Sequence, residues 1–268
     1  QDKWLLVHGR KKWQHFYENV ERQRQFFDRF LKGVDSEVKY WPRVSLEVRE
    51  RFFIGNFRSE TEWPPSGTRY EQLFLDPGRG QLGRSRPEEE GVVRYPAAPG
   101  GGRACFDHRF AETTDVVGHM KLRLWVEAHG SDDMDLFVAL QKVDRTGDVV
   151  TFPYYSSHDN GPVALGWLRV SHRELDEERS RPYQPVMKHR RELKLKPGEI
   201  VPVDIEIWPS GTRFEAGETL RLIVQGTDVY TYPEEMNTIA HTDSVNAGEH
   251  RLHAGGRFDS HLLVPVLP

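Results

Sequence analysis

From Pro42 onward, apolar and polar residues alternate with a period of two, and no other feature of the 268 residues constrains the fold as strongly. Val44, Leu46 and Val48 alternate with Ser45, Glu47 and Arg49, and Leu122, Leu124 and Val126 with Arg123 and Trp125. Val201, Val203, Ile205 and Ile207 alternate with Pro202, Asp204 and Glu206, and Leu220, Leu222 and Val224 with Arg221 and Ile223. Successive side chains of a strand point to opposite faces, so each run turns one face inward and leaves the other outside. Separated by Gly, Pro and Asp turns, these runs predict a mostly β chain built as an antiparallel sandwich. The 17 prolines and 23 glycines, which break helices, agree. Further strands are expected over residues 69–75, 136–143, 149–152 and 262–264. Residues 76–103, dense in Gly, Pro and charge, read as a long surface loop.

The first 40 residues have a different texture. Trp4-Leu-Leu-Val7 is a continuous apolar run, as expected of a strand buried on both faces of a parallel sheet. His8 and Gly9 follow, then a helix from Asn19 to Lys32 with Val20, Phe27, Phe30 and Leu31 on one face and Phe26 widening it. Asn19 is placed to cap its start, Glu21 suits the positive end of its dipole, and Gly33 closes its end. A strand of this kind needs neighbours that the rest of the chain does not supply. The expected division is therefore 1–40, the edge of another domain, and 41–268, the sandwich. The apolar patch on 1–33 is expected to fold back on the sandwich, to meet a separate partner, or to drive homo-oligomer formation.

Composition removes several function classes. A net charge of −4 carries no polyanion signature, and the basic runs Arg10-Lys11-Lys12 and Lys188-His189-Arg190-Arg191 read as solvated surface. No nucleic-acid partner is expected. Cys105 is the only cysteine, which rules out an intrachain disulfide and a cysteine-based metal site. No apolar stretch approaches the roughly 20 residues of a membrane helix, so no membrane partner is expected. With no signal peptide either, the expected location is cytoplasmic.

Strand, histidine, helix is the order in which a serine hydrolase ends, yet no Gly-x-Ser-x-Gly turn occurs in the chain. His8 stands where a general base would stand, at the end of a sheet strand, but such a base needs a serine to deprotonate and an acid to orient it. The other reading of His8 is a loop histidine bonded to backbone. His15, next to Phe16, looks like packing. Asp132, Asp133 and Asp135 have the clustering calcium favours, but read better as a solvated turn (Asp132, Asp133) with Asp135 opening the next strand. His241, Asp243, His250 and His253 form the one histidine-rich stretch. His250 and His253 are three apart on a strand, hence on opposite faces, and neither a metal nor a cofactor is expected. Trp125, Trp167, Trp208, Tyr154 and Tyr155 offer either a stacking surface or sandwich packing.

Stretches along nearly the whole chain carry a resemblance. They are Trp4-Leu-Leu-Val-His8-Gly9 with Lys12-Trp13, Gln25-Phe-Phe-Asp-Arg-Phe-Leu-Lys-Gly33, Glu62-Trp63-Pro-Pro65 and Gly118-His-Met-Lys-Leu-Arg-Leu-Trp125. Asp133-Met-Asp-Leu-Phe137, Gly166-Trp-Leu-Arg-Val170, Leu195-Lys-Pro-Gly198 and Trp208-Pro-Ser-Gly-Thr-Arg-Phe214 with Gly217 follow, then Asp259-Ser260 before Leu262-Leu-Val-Pro-Val266. In this order they resemble the cocaine esterase and X-prolyl dipeptidyl-peptidase (CocE/NonD) family of serine hydrolases. The resemblance implies an α/β-hydrolase domain followed by a C-terminal jelly roll (galactose-binding-like), with 1–40 as the last strand and helix of the former. It implies that His8 matches the catalytic histidine, and that the serine elbow, the acid and the oxyanion-hole groups lie upstream of Gln1. It also implies that the jelly roll leans over the active-site mouth, with Tyr154, Tyr155 and Trp167 as the expected pocket wall. The substrate would be a small ester or amide, including X-Pro dipeptidyl amides, hydrolysed through an acyl-enzyme. The chain alone is expected to be inactive. The rival reading is a stand-alone β-sandwich binding module for carbohydrate or protein.

Overall fold

A computed structural model describes residues 2–154, 158–231 and 240–268. The opening segment forms β1 (Leu5–Val7), α1 (Lys12–Glu18), α2 (Val20–Lys32) and a 3₁₀ turn at Glu37–Tyr40. Next come β2 (Val44–Arg51), β3 (Ile54–Glu60), β4 (Arg69–Asp76), β5 (Gln81–Gly83), β6 (Gly91–Pro96) and β7 (Arg103–Arg109). The long β8 (Thr114–His129) leads to β9 (Asp135–Val143), β10 (Val149–Val150), β11 (Phe152–Tyr154), β12 (His158–Gly161) and β13 (Ala164–Arg169). The chain closes with β14 (Val201–Phe214), β15 (Thr219–Gln225), β16 (Glu249–Ala254) and β17 (His261–Leu267).

Hydrogen bonding runs from β14 through β13, β9, β15, β7, β5, β4 and β17 to β8. β8 then pairs back along β14, from Val126↔Val201 to Thr114↔Phe214. A sheet closed in this way hides its edges and encloses its core. The alternation read from the sequence describes that core. Leu122, Leu124 and Val126, Val201 to Ile207 at every second position, and Leu220, Leu222 and Val224 all point into one apolar cluster. Val44, Leu46 and Val48 of β2 also point inward, into a smaller cluster with Val117, Leu267, Val7 and Trp63. The expected mostly β, jelly-roll sandwich is the observed fold class. No helix among the described residues is long and apolar enough to cross a membrane.

Three expectations are corrected. The stretch 76–103 is not one loop, since it holds β5, β6 and the start of β7, with Leu82 and Tyr95 buried. Strands this short leave little periodicity, and the partner of β6 is the distant β16 (Gly91↔Ala254 to Pro96↔Glu249). Asn19 does not cap the long helix. It sits between α1 and α2, and its side-chain amide donates back to the His15 carbonyl (2.9 Å), closing α1 instead. Finally, β1 does find a neighbour in this chain. It adds parallel to β2, in the register Leu5↔Val44, Leu6↔Ser45 and Val7↔Leu46.

The end of α2 is as expected. Gly33 takes the left-handed φ of 68°, letting its N–H reach the Arg29 carbonyl and the next N–H reach Asp28. Phe26 and Phe30 lean on Trp4, whose ring also meets Trp41. Phe27 and Leu31 of the same face remain exposed.

Candidate functional site

Because β1 runs parallel to β2, the residue after Val7 emerges where the pair ends, and the chain turns there through His8, Gly9 and Arg10. The turn rests on β2. Buried Glu47 accepts the Gly9 N–H at 2.8 Å through Oε2, and its Oε1 lies 3.4 Å from the Arg10 guanidinium. Gly9 lies so close to Arg49 that a Cβ would fall 2.5 Å from the arginine Cδ, so no larger residue fits without displacing it. Arg49 in turn donates to the Val163 carbonyl (3.0 Å) and to Ser210 Oγ (2.7 Å), with its guanidinium 4.3 Å from the centre of the Phe152 ring. Lys11, one residue past the turn, pairs with Asp159 of β12 at 2.5 Å.

The His8 ring lies flat on that of His15, centroids 3.4 Å apart and planes 13° from parallel. Its Nδ1 accepts the Arg10 N–H at 3.2 Å, which assigns the proton of the neutral ring to Nε2. Burial lowers the His8 pKa from its ordinary value and His15 adds to the effect, against the pull of the Glu47 carboxylate. These surroundings favour the neutral ring over the imidazolium. Beside it, a groove runs between Leu6 of β1 and the helices. It encloses about 480 Å³ at His15, Asn19 and Arg22 and about 500 Å³ at Trp4, Phe26, Phe27 and Trp41, with Leu6 bordering both parts.

The aromatic candidates divide. Trp167 of β13 and Trp208 of β14 meet edge to face, with centroids 4.9 Å apart. Trp167 also lies 5.6 Å from the His241 ring, which is 5.4 Å from Phe137. Trp167, Phe137 and His241, with Arg169, His172 and His189, line a cleft of about 470 Å³. Tyr154 packs with Trp167 over Leu165 and Ile223. Tyr155 lies outside the described residues. Trp125 stands elsewhere, bound through Nε1 to Asp259 (2.6 Å) and packed on Phe258, so the tryptophans do not form one surface.

His250 and His253 occupy opposite faces of β16. His250 is sealed between Asn246 (3.0 Å) and Tyr95 (3.3 Å), and burial pushes its pKa down to about 4. His253 bonds to Glu127 at 3.1 Å. Asp133 is a correction, since it is buried rather than solvated. It accepts the Met134 and Ser171 N–H groups (2.9 Å each) and lies 3.0 Å from Lys194 Nζ. Burial raises its pKa, but these donors outweigh burial and hold it below the ordinary carboxylate value. Asp132 stays exposed, and Asp135 opens β9 paired with Arg169 at 2.8 Å. Among the described residues, no three His, Cys, Asp or Glu side chains converge as metal ligands would.

Closed jelly roll, parallel opening strand and histidine turn go together with one class, the C-terminal non-catalytic β domain of CocE/NonD-type hydrolases. Residues 37–263 match the X-Pro dipeptidyl-peptidase C-terminal non-catalytic domain, and the chain belongs to that family. The chain is similar to a CocE/NonD family hydrolase from Staphylococcus aureus at 43% identity and a TM-score of 0.96, over 100% of this chain and 49% of that one. The cocaine esterase of a Rhodococcus species is 27% identical, over 93% of this chain and 46% of its own. An aminopeptidase from a Thaumarchaeota archaeon shares the fold, with 14% identity and a TM-score of 0.64, over 96% of this chain and 45% of that one. The chain thus spans about half the length of these relatives.

Sequence reading singled out His8 and Trp167 but passed over Glu47 and Arg49. Both sit at the polar positions of an alternating strand, which ordinarily face water. Only the turn folded over them makes them part of a site.

Proposed function

We propose that this chain forms the C-terminal part of a serine hydrolase, with His8 as the general base of an acyl-transfer reaction on ester or amide substrates, X-Pro dipeptidyl amides among them. In this reading residues 1–40 complete an α/β-hydrolase domain and residues 41–268 form the jelly roll beside it. The single observation that carries it is the place of His8, at the end of a parallel strand whose other edge has no partner among the described residues. A further sheet strand against that edge, with the exposed face of α2 laid over the sheet, would fill the groove along Leu6. That partner is the hydrolase domain, which would also bring the serine, the acid and the oxyanion-hole donors.

His8 would take the proton of the serine hydroxyl as its oxygen attacks the carbonyl carbon, then return it to the leaving alcohol or amine. Water, deprotonated by the same ring, would cleave the acyl-enzyme. For this Nδ1 must carry a proton and donate it to the acid. Its present bond from the Arg10 N–H is one the ring must give up when the acid arrives. Tyr154 and Trp167, on strands tied to the His8 turn through Lys11–Asp159 and Arg49, would form the pocket wall.

In the full-length protein, His8→Ala is expected to lower kcat on an activated ester such as p-nitrophenyl acetate by about 10⁴-fold or more. A variant that keeps most of its turnover overturns the assignment. The alternative, a stand-alone binding module, draws on the cleft lined by Phe137, Trp167 and His241. Sugar binding by the chain, together with an active His8→Ala parent, would favour it.

A further inference from the structure

We infer that Glu47, on the first strand of the β domain, is a positioning residue for the histidine turn, so that the domain called non-catalytic sets where the base stands. The inference rests on the reading of His8 as that base. Three observations carry it. Glu47 is only 3% exposed, yet its carboxylate serves the turn on both oxygens, one taking the Gly9 N–H (2.8 Å) and the other facing Arg10 (3.4 Å). A buried carboxylate facing one backbone amide and one guanidinium fixes the backbone on both sides of that amide.

The second observation is the seat itself. Gly9 and Arg49 pack with no room for a side chain, and Arg49 is tied to β14 and to the residue preceding β13. The turn therefore cannot shift without moving the sandwich. The third is backbone strain. In the tight connection between β2 and β3, Phe53 holds φ at +57°, a region bulky residues avoid. Its carbonyl accepts from the same Arg10 (2.8 Å), and its ring lies 5.5 Å from that guanidinium. A strained turn and a buried acid thus converge on the residue two past the histidine.

The charged and titratable groups around His8 are the stacked His15, the Arg10 guanidinium and the Glu47 carboxylate, with Arg49 beneath Gly9. Of these Glu47 favours the imidazolium and the arginine opposes it. Removing the negative charge while keeping an acceptor for the Gly9 N–H should therefore shift the titration of the base to lower pH, at the loss of the contact with Arg10.

The test uses the full-length hydrolase with p-nitrophenyl acetate and follows kcat, KM and the pH profile of kcat/KM. Glu47→Ala is expected to lower kcat by about 10- to 100-fold with little change in KM, because a displaced base loses its alignment. Glu47→Gln, which keeps the acceptor for the Gly9 N–H, is expected to recover part of the plateau kcat and to move the acid limb to lower pH. If Glu47→Ala fails to fold, the Glu47→Gln profile decides alone, and an acid limb that stays in place overturns the inference. Unchanged kcat and pH profile in both variants, alongside an inactive His8→Ala, would remove Glu47 from the machinery and leave His8 in it. Activity retained by His8→Ala would instead strike at the base assignment itself.

Discussion

Phe106 on β7 and Phe27 on α2 are the same kind of side chain, yet the first is 1% exposed and the second 53%. Phe106 lies in a sheet that closes on itself, so its inward face meets side chains from the opposing strands. Phe27 lies on a helix whose apolar face has only part of a second layer, Trp4 against Phe26 and Phe30 with Trp41 behind it. Leu31, on the same side, is 76% exposed. The charged side of α2 is complete, with Arg24 bridging Glu21 and Asp28, and Lys32 pairing with Asp28. Apolar residues go inside only where a second layer exists to receive them. The sandwich carries its own second layer. The opening segment has half of one.

The contrast breaks most readily at the core. Phe106→Ala should destabilise the isolated chain by about 3–5 kcal/mol in denaturant unfolding, since a full aromatic volume is emptied. A loss below 1 kcal/mol, taken here as roughly the average effect of any single change, would mean that the closed sheet is not tightly packed.

Acid comes next. His250 is held neutral inside the sandwich with its pKa near 4, while the unfolded chain binds the proton near 6.5. Its contribution is therefore complete above pH 6.5 and is lost as pH falls from there toward 4, by about 3 kcal/mol in all. His250→Asn should flatten that part of the stability–pH curve. His8 and His15 are shifted in the same direction from a less enclosed place. If the acid sensitivity follows those two instead, the stable and the marginal region have been exchanged.

The smallest effect is the most telling. Leu31→Ser should change the stability of this chain by no more than about 0.5 kcal/mol, because the side chain touches little here. If the proposed hydrolase domain lies over this face, the same change in the longer protein should cost about 2 kcal/mol or more, since the leucine is then covered by a sheet. Equal, small effects in both contexts would leave the helix face without a partner.

Much of the fold was legible in single residues. Leu122, Leu124 and Val126 announce their inward face by alternation, because a strand's side chains alternate whatever strand lies next to it. Gly33 marks a helix end for an equally local reason, the conformation only glycine takes without cost. The strands within 76–103 were not legible, since three to six residues in a Gly- and Pro-rich context show no period, and β6 is stabilised by a partner far along the chain. Glu47 was hidden for the same reason. Its position reads as solvent-facing, yet it is buried and bound to a turn 38 residues away. Of the candidate site, His8 was visible as the residue after an apolar run, whereas its stacking on His15 depends on how α1 is set against β1.

By itself, then, the sequence determined the inward faces of the long strands, the helix stop at Gly33 and the turn residue His8, all set by backbone geometry over a few residues. The tertiary structure alone decided the parallel pairing of β1 with β2, the closure of β8 onto β14 and the seating of the histidine turn on Glu47 and Arg49. Each of these joins groups that are neighbours in space but remote along the chain, and local patterns carry no information about which remote group will arrive.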